Sequence, residues 1–288
     1  MGEKSISERI FKTLQDISQY ELNEIQLLIA IIKKNITDSI DKHMETIGNE
    51  FKNSCEYYGK NVADVVTTRD EIINGYNEVF NKIASKFEEQ YMNLALEIQE
   101  AQSNQKIAIT NMKRVMDSKT KYINSDEYVS FKNKIKELEA KRDNAEIKAE
   151  YDSVVEYLES LRDPVELYDE KLEMFAQKYI SYCAIEEQCI EKLKECNGRA
   201  KEAIDSVMKY EVGKLAVAPK KSIFSFFTKF INKITGAKRF EKEYVLKKKN
   251  NLEQITVSTD ALSEEISNDT ISIVYSIDAY KQSINQAV

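Results

Sequence analysis

Residues 220–239 combine two kinds of side chain that together suit an anionic lipid surface: large apolar groups and lysines. Plotted at 100° per residue, the apolar side chains of residues 223–234 fall within an arc of about 140°, and Phe224 lies at its border. The apolar set is Ile223, Phe224, Phe226, Phe227, Phe230, Ile231 and Ile234. The basic set around it is Lys220, Lys221, Lys229, Lys233, Lys238 and Arg239. The pattern predicts a short, basic amphipathic helix.

Charge separates this segment from the rest of the chain. Residues 220–249 hold ten basic and two acidic side chains, a net charge of +8, whereas the whole chain carries −7. Everything outside the segment therefore sums to −15. Apolar and basic groups concentrated in an acidic protein favour binding to an anionic membrane surface. The predicted helix of residues 223–234 would be about 18 Å long, which is too short to span the hydrocarbon layer, so we expect it to lie in the membrane interface.

Two other roles fit the same residues. The apolar face could pack onto the rest of the protein as a capping helix, as most amphipathic helices of soluble proteins do. It could instead bind an acidic protein partner or nucleic acid, since aromatic and basic side chains suit both. A pI near 5.2 argues against general nucleic-acid binding.

The remaining side chains with catalytic or metal-binding potential form no recognisable site. His43 is the only histidine, so it has no second histidine with which to form a metal centre, and we expect it at the surface or the bundle edge. Cys183, Cys189 and Cys196 are spaced by six and seven residues, unlike zinc ligands, and two of them lie on an apolar stripe. No glycine-rich phosphate loop is present. We therefore expect no enzymatic activity, metal, cofactor or small-molecule substrate.

The elements that must position the basic segment are long helices. Only seven Gly and two Pro occur in 288 residues, and apolar side chains recur at spacings of three and four along most of the chain. These features predict an all-α fold, an elongated antiparallel bundle of about five long coiled-coil-like helices with the short basic helix before the last. We expect residues 1–288 to form a single domain, with residues 220–239 as an insert.

Turn and cap signals predict where the helices begin and end. Gly59 with its neighbours marks the first turn, and Ser125 caps a helix that continues through Leu158. Asp163 and Pro164 start the next helix, which Gly198 does not end. Near the N-terminus a capping box at Ser5 and Glu8 opens a helix in which Leu27, Ala30 and Ile31 extend the apolar stripe nearly all round. That helix is expected at the centre of the bundle.

The sequence contains no signal peptide and no transmembrane stretch, which predicts a cytoplasmic, peripherally membrane-associated protein and leaves export without a signal open. We expect a non-enzymatic helical bundle that binds anionic membranes through residues 220–239. It would act as a self-associating scaffold, or hold a membrane-active segment that a rearrangement releases. The latter is similar in architecture to α-helical pore-forming toxins, although no motif identifies that family. The alternative is a soluble coiled-coil scaffold or adaptor that binds partner helices or other proteins.

Overall fold

The structure is a computed structural model that describes the backbone of residues 6–215, 236 and 238–286. Side chains are described for residues 24–207, 236 and 238–286. Within these ranges every regular element is helical and none is a strand, which confirms the predicted all-α class. The predicted amphipathic helix at residues 223–234 lies outside the described residues.

The described α-helices are α1 (Ile6–Tyr57), α2 (Val66–Ile123), α3 (Asp126–Asp143), α4 (Lys148–Ser160), α5 (Pro164–Leu215) and α6 (Leu246–Gln286). A 3₁₀ turn, Val62–Val65, links α1 to α2, and a π-helical stretch, Phe240–Val245, leads directly into α6. Several predicted boundaries are confirmed: Ser125 caps α3 by accepting a hydrogen bond from the Tyr128 N–H, and α5 begins at Pro164. Helix α5 also continues through Gly198 without interruption.

One compact unit comprises Asp16–Leu96 and Gln188–Ala279. Polar contacts between its helices fix their directions. They are Asn35–Asn197 and His43–Asp205 between α1 and α5, and Glu71–Lys249 and Lys82–Asp260 between α2 and α6. In each pair of helices the residue numbers rise together, so α1 runs parallel to α5, and α2 runs parallel to α6. Because a short turn makes α2 antiparallel to α1, the described helices of this unit follow the up-down-up-down order of a four-helix bundle.

The core of this unit follows the helical period predicted for α2. The buried apolar side chains there recur every three or four residues and include Tyr76, Val79, Ile83, Phe87, Tyr91 and Leu94. Gly75 precedes this stripe at a close approach of two helices, because a Cβ placed on it would lie 2.2 Å from Leu252 Cδ2 of α6. Glycine therefore lets α2 and α6 pack at this level.

The second compact unit comprises Met1–Gln15, Glu97–Glu187 and Tyr280–Val288. In it α3 and α4 pack against each other as a helical hairpin in which no side chain is fully buried. A polar contact joins α2 to α5: the buried Glu186 carboxylate accepts hydrogen bonds of 2.6 Å from both Gln102 and Gln105. Helices α1, α2, α5 and α6 contribute residues to both units, and the single-domain organisation remains a prediction.

Two details differ from the sequence-based expectation. The helix expected from Ser125 through Leu158 is two helices, because Asn144 ends α3: its backbone N–H and its side-chain amide both donate to the Ala140 carbonyl. Such side-chain competition for the backbone favours a helix end. The expected all-round burial of α1 is also wrong, since Leu27 is 61% and Ile31 43% exposed. One face of α1 packs on the bundle and the opposite face meets solvent.

Candidate functional site

Most of the predicted membrane-binding residues lie outside the described residues. These are Ile223, Phe224, Phe226, Phe227, Phe230, Ile231, Ile234, Lys220, Lys221, Lys229 and Lys233. The structure describes the last two of the set, Lys238 and Arg239, which precede the π-helical stretch. The candidate site is therefore built from these two residues and the side chains around them.

Lys238 and Arg239 line an open recess of about 440 Å³. The other lining residues are Lys60, Glu241, Lys242 and Glu243. Four cationic and two anionic side chains give the recess a net charge of +2. Among the described residues, Lys60, Lys238 and Lys242 are in no ion pair, so their charges are not neutralised by the bundle. The recess is suited to binding an anion.

The end of α1 places Lys60 at this recess. Gly59 adopts a left-handed conformation with φ of 66°, which the absence of a Cβ permits. The Lys60 N–H donates to the Cys55 carbonyl at 2.8 Å, and the Gly59 N–H donates to the Glu56 carbonyl at 3.2 Å. This is the double hydrogen bond of a Schellman cap. It fixes the Lys60 backbone and leaves its ammonium group on the surface of the turn.

The π-helical stretch places the other cations. Phe240 is fully buried and Tyr244 is nearly so. They form an aromatic cluster with Phe51 and Tyr58 of the α1 end, with ring centroids 5.5–5.9 Å apart. Aromatic pairs at this separation contribute beyond their buried area. Because the Phe240 face points into the bundle, the exposed residues Lys238 and Lys242 project outward.

A chain of polar contacts fixes the wall of the recess. Arg239 donates to Glu243 Oε1 through Nε at 3.2 Å, and the Tyr58 hydroxyl donates to Glu243 Oε2 at 3.3 Å. Arg239 therefore lowers the pKa of the Glu243 carboxyl, and the Tyr58 contact lowers it further. The pKa of the Tyr58 hydroxyl is raised, first by burial and then by the Glu243 charge. Glu243 is thus an ionised partner that orients Arg239.

Two of the lysines counted in residues 220–249 form ion pairs within the bundle. Lys248 is completely buried, with its Nζ atom 2.7 Å from Glu50 Oε2 and 5.5 Å from the centre of the Tyr76 ring. Lys249 pairs with Glu71 at 2.8 Å. These two lysines pair with carboxylates outside residues 220–249, so the +8 of that segment overstates by two the charge that a membrane would meet.

Sequence reasoning missed Lys60 and Lys242 as parts of a site. Lys242 lies within the basic run and was counted only as a charge. Lys60 stands far from it in the chain, and only the packing of the α1 end against Phe240 brings the two together. The position of Lys60 directly after the turn glycine was the one feature of the sequence that pointed to its role, and such a feature is weak evidence.

The histidine and the cysteines, which form no recognisable site in the sequence, are buried or half-buried in the bundle. His43 is half-buried: its ring stacks on Phe80, with ring centroids 5.9 Å apart, and its Nε2 lies 2.7 Å from Asp205 Oδ1. Cys189 and Cys196 are buried beside Leu193, which confirms their core role. Burial raises the pKa of the Cys196 thiol to about 12. Within the described ranges no group of three or more His, Cys, Asp and Glu side chains could hold a metal ion.

No protein-family model, curated protein or solved structure matches this chain. Across the described helices, none has the length and apolar composition needed to cross a bilayer.

Proposed function

We propose that this protein binds peripherally to anionic membrane surfaces, with residues 220–239 as the binding segment. The observation that carries the proposal is the basic recess of Lys60, Lys238, Arg239 and Lys242, which adjoins the Phe-rich segment in the chain. Lys238 stands four residues after Ile234, so the two Cα atoms lie within about 14 Å whatever the conformation between them. The cations of the recess therefore lie on a described, folded surface and are close in the chain to the apolar residues.

Burial of the apolar side chains in lipid and attraction of the lysines to anionic headgroups both favour membrane binding. Four phenylalanines and three isoleucines, each contributing about 1.5–3 kcal/mol when buried, give a gross term of about 10–20 kcal/mol before immobilisation costs. Each lysine near an anionic surface adds about 1 kcal/mol. Lys248 and Lys249 are not counted, because both pair with carboxylates of the bundle.

Flotation with liposomes tests the proposal. The intact protein should float with vesicles that contain phosphatidylserine at low salt, and less so in 1 M salt, where the Debye length falls to about 3 Å. Replacing Phe226→Ser with Phe230→Ser should abolish flotation. The matched control, Ser225→Ala with Thr228→Ala on the polar side of the same segment, should leave it intact. Failure of the intact protein to float at any salt concentration would overturn the proposal.

A second candidate is a soluble scaffold that binds helices of a protein partner or of a second copy. The observation that favours it is the α3–α4 hairpin, which buries none of its side chains and leaves Val129, Ile147 and Tyr151 exposed at 46–66%. Sedimentation over a range of protein concentrations distinguishes the two. The scaffold hypothesis predicts self-association that Ile147→Asp reduces, with flotation absent.

A further inference from the structure

We propose that the basic recess binds the phosphomonoester group of a lipid headgroup, which would make membrane binding headgroup-selective. The proposal rests on the proposed membrane function and names its ligand. It is carried by the geometry of the recess: Lys60, Lys238 and Lys242 surround an open volume of about 440 Å³ and lie in no ion pair with a described carboxylate. That volume lies within the range of small-ligand sites, which is about 300–1,000 Å³.

The charge pattern favours a phosphomonoester over a phosphodiester. A phosphomonoester carries about −1.5 to −2 charges at neutral pH and three oxygen acceptors, which matches three lysine ammonium groups. The phosphodiester of phosphatidylserine carries one charge and offers fewer free oxygens. Glu243 does not oppose the anion fully, because Arg239 holds its carboxylate at 3.2 Å. Glu241 is exposed and remains the one lining carboxylate outside an ion pair of the described chain.

The recess is preformed. Lys60 is the last residue of the Schellman cap of α1, Lys238 precedes the π-helical stretch, and Lys242 lies within that stretch, which the fully buried Phe240 anchors. π-helical stretches often occur at functional sites. Because the core holds the backbone of Lys60 and Lys242, binding a phosphate orders lysine side chains but not this backbone, which limits the loss of conformational entropy.

Position along the chain couples the recess to the membrane. The apolar segment ends at Ile234, within about 14 Å of Lys238. A segment that lies at the boundary between acyl chains and headgroups therefore brings Lys238 to the level at which headgroup phosphates are found. The recess and the apolar segment would contact the same leaflet.

The test compares vesicles of equal surface charge, one set containing phosphatidylserine and the other phosphatidylinositol 4,5-bisphosphate. We expect the intact protein to bind the bisphosphate vesicles about tenfold more tightly. Lys60→Gln should lower that preference about fivefold, because it removes one charge-assisted hydrogen bond that the phosphomonoester accepts. Lys60 lies outside residues 220–239, so the change leaves the apolar segment untouched. The control is Lys106→Gln, which removes one exposed charge from α2 and should not change the ratio.

A calorimetric titration of the protein with inositol 1,4,5-trisphosphate, without vesicles, shows whether the ligand of the recess is a lipid headgroup or a free phosphate. We expect binding that Lys60→Gln weakens and Lys106→Gln does not. Trisphosphate binding without flotation would mean that the recess binds a soluble phosphate compound, and it would overturn the proposed membrane function. Flotation with no headgroup preference and no trisphosphate binding would overturn the recess proposal and leave the membrane function standing. Thermal unfolding of each variant verifies that it is folded.

Discussion

Lys248 Nζ and Glu50 Oε2 lie 2.7 Å apart, and this contact joins α6 to α1 through a lysine that is completely buried. The Lys248 ammonium group also lies 5.5 Å from the Tyr76 ring centre and 6.0 Å from that of Tyr244. A cation over aromatic faces away from water is stabilised by up to about 2 kcal/mol. This pair holds the start of α6, and with it the C-terminal end of residues 220–249, against the end of α1.

The two members of this pair should not be equally sensitive to substitution. Glu50→Gln leaves a buried ammonium group without that carboxylate, so we expect a loss of about 3–5 kcal/mol in the free energy of unfolding. Lys248→Met keeps the volume and leaves Glu50, which is 35% exposed and can be hydrated again, so its cost should be smaller. Urea unfolding measures both. Lys249→Gln, at an exposed pair, is the control and should cost less than about 1 kcal/mol. A larger loss for Lys248→Met than for Glu50→Gln would contradict this account.

Gly75 and Gly48 both lie inside long helices, and the same substitution should act on them with opposite sign. A Cβ at Gly75 meets Leu252 Cδ2 at 2.2 Å and forces that half-buried side chain to move. This cost is partly offset by the higher helix propensity of alanine, so Gly75→Ala should cost up to about 1 kcal/mol. A Cβ at Gly48 meets nothing within 4 Å, so Gly48→Ala should stabilise the protein by up to about 1 kcal/mol. Thermal or urea unfolding gives both values.

A double-mutant cycle assigns the Gly75 effect to its contact. In a Leu252→Ala background the clash is absent, and Gly75→Ala should then cost less than it does in the intact protein. An unchanged cost would mean that the contact with Leu252 is not the cause.

Local backbone chemistry made most helix boundaries predictable. Gly59, Ser125 and Pro164 act through neighbours in the chain, so their turn and cap roles are present in the sequence itself. The break at Asn144 was missed because a single capping residue does not stop a pattern that stays amphipathic on both sides. Local chemistry therefore places helix ends more reliably than it places breaks between two amphipathic runs.

Burial and the candidate site depend on packing between distant segments, which the sequence does not show. Leu27 and Ile31 continue an apolar pattern, yet both side chains are exposed, because none of the described helices covers that side of α1. Lys248 belongs to a run of three lysines that suggests a surface, and only the position of Glu50 explains its burial. The recess needs Lys60 beside Lys242, a relation created by the aromatic contacts at the end of α1.

Thiol reactivity should distinguish the four cysteines, none of which is in a disulfide. Burial raises the pKa of the Cys196 thiol to about 12, so at pH 8 only about one molecule in 10⁴ carries the reactive thiolate. Cys55 and Cys189 are also buried, whereas Cys183 is half-buried. With iodoacetamide at pH 8, mass spectrometry should find Cys183 labelled first in the native protein and all four labelled in urea. Native labelling of Cys196 as fast as Cys183 would contradict its place in the core.

The contact between Asp205 and His43 predicts a pH dependence of stability. The hydrogen bond from His43 lowers the pKa of the Asp205 carboxyl, and a bond from Ser39 and the charge of Lys201 lower it further. A folded pKa below the unfolded one means that the carboxylate stabilises the fold above the unfolded value of about 3.9, and that this contribution is lost as the pH falls through the folded pKa. Asp205→Asn should therefore destabilise the protein at pH 7 and have progressively less effect below about pH 4. Because the Asp205 side chain is 38% exposed, solvent screening should limit the effect at pH 7 to about 1 kcal/mol.

Urea midpoints of the intact protein and of Asp205→Asn, measured between pH 7 and pH 3, test this dependence. Asp117→Asn is the matched control, because Asp117 is exposed and lies in no ion pair with a described residue. The urea midpoint of Asp117→Asn should differ little from that of the intact protein between pH 7 and pH 3. The His43 ring stacks on Phe80 and is only 13% exposed, so its position is set by packing as well as by the carboxylate. If the difference caused by Asp205→Asn did not shrink between pH 4 and pH 3, the ionised carboxylate would not be the form that stabilises the fold.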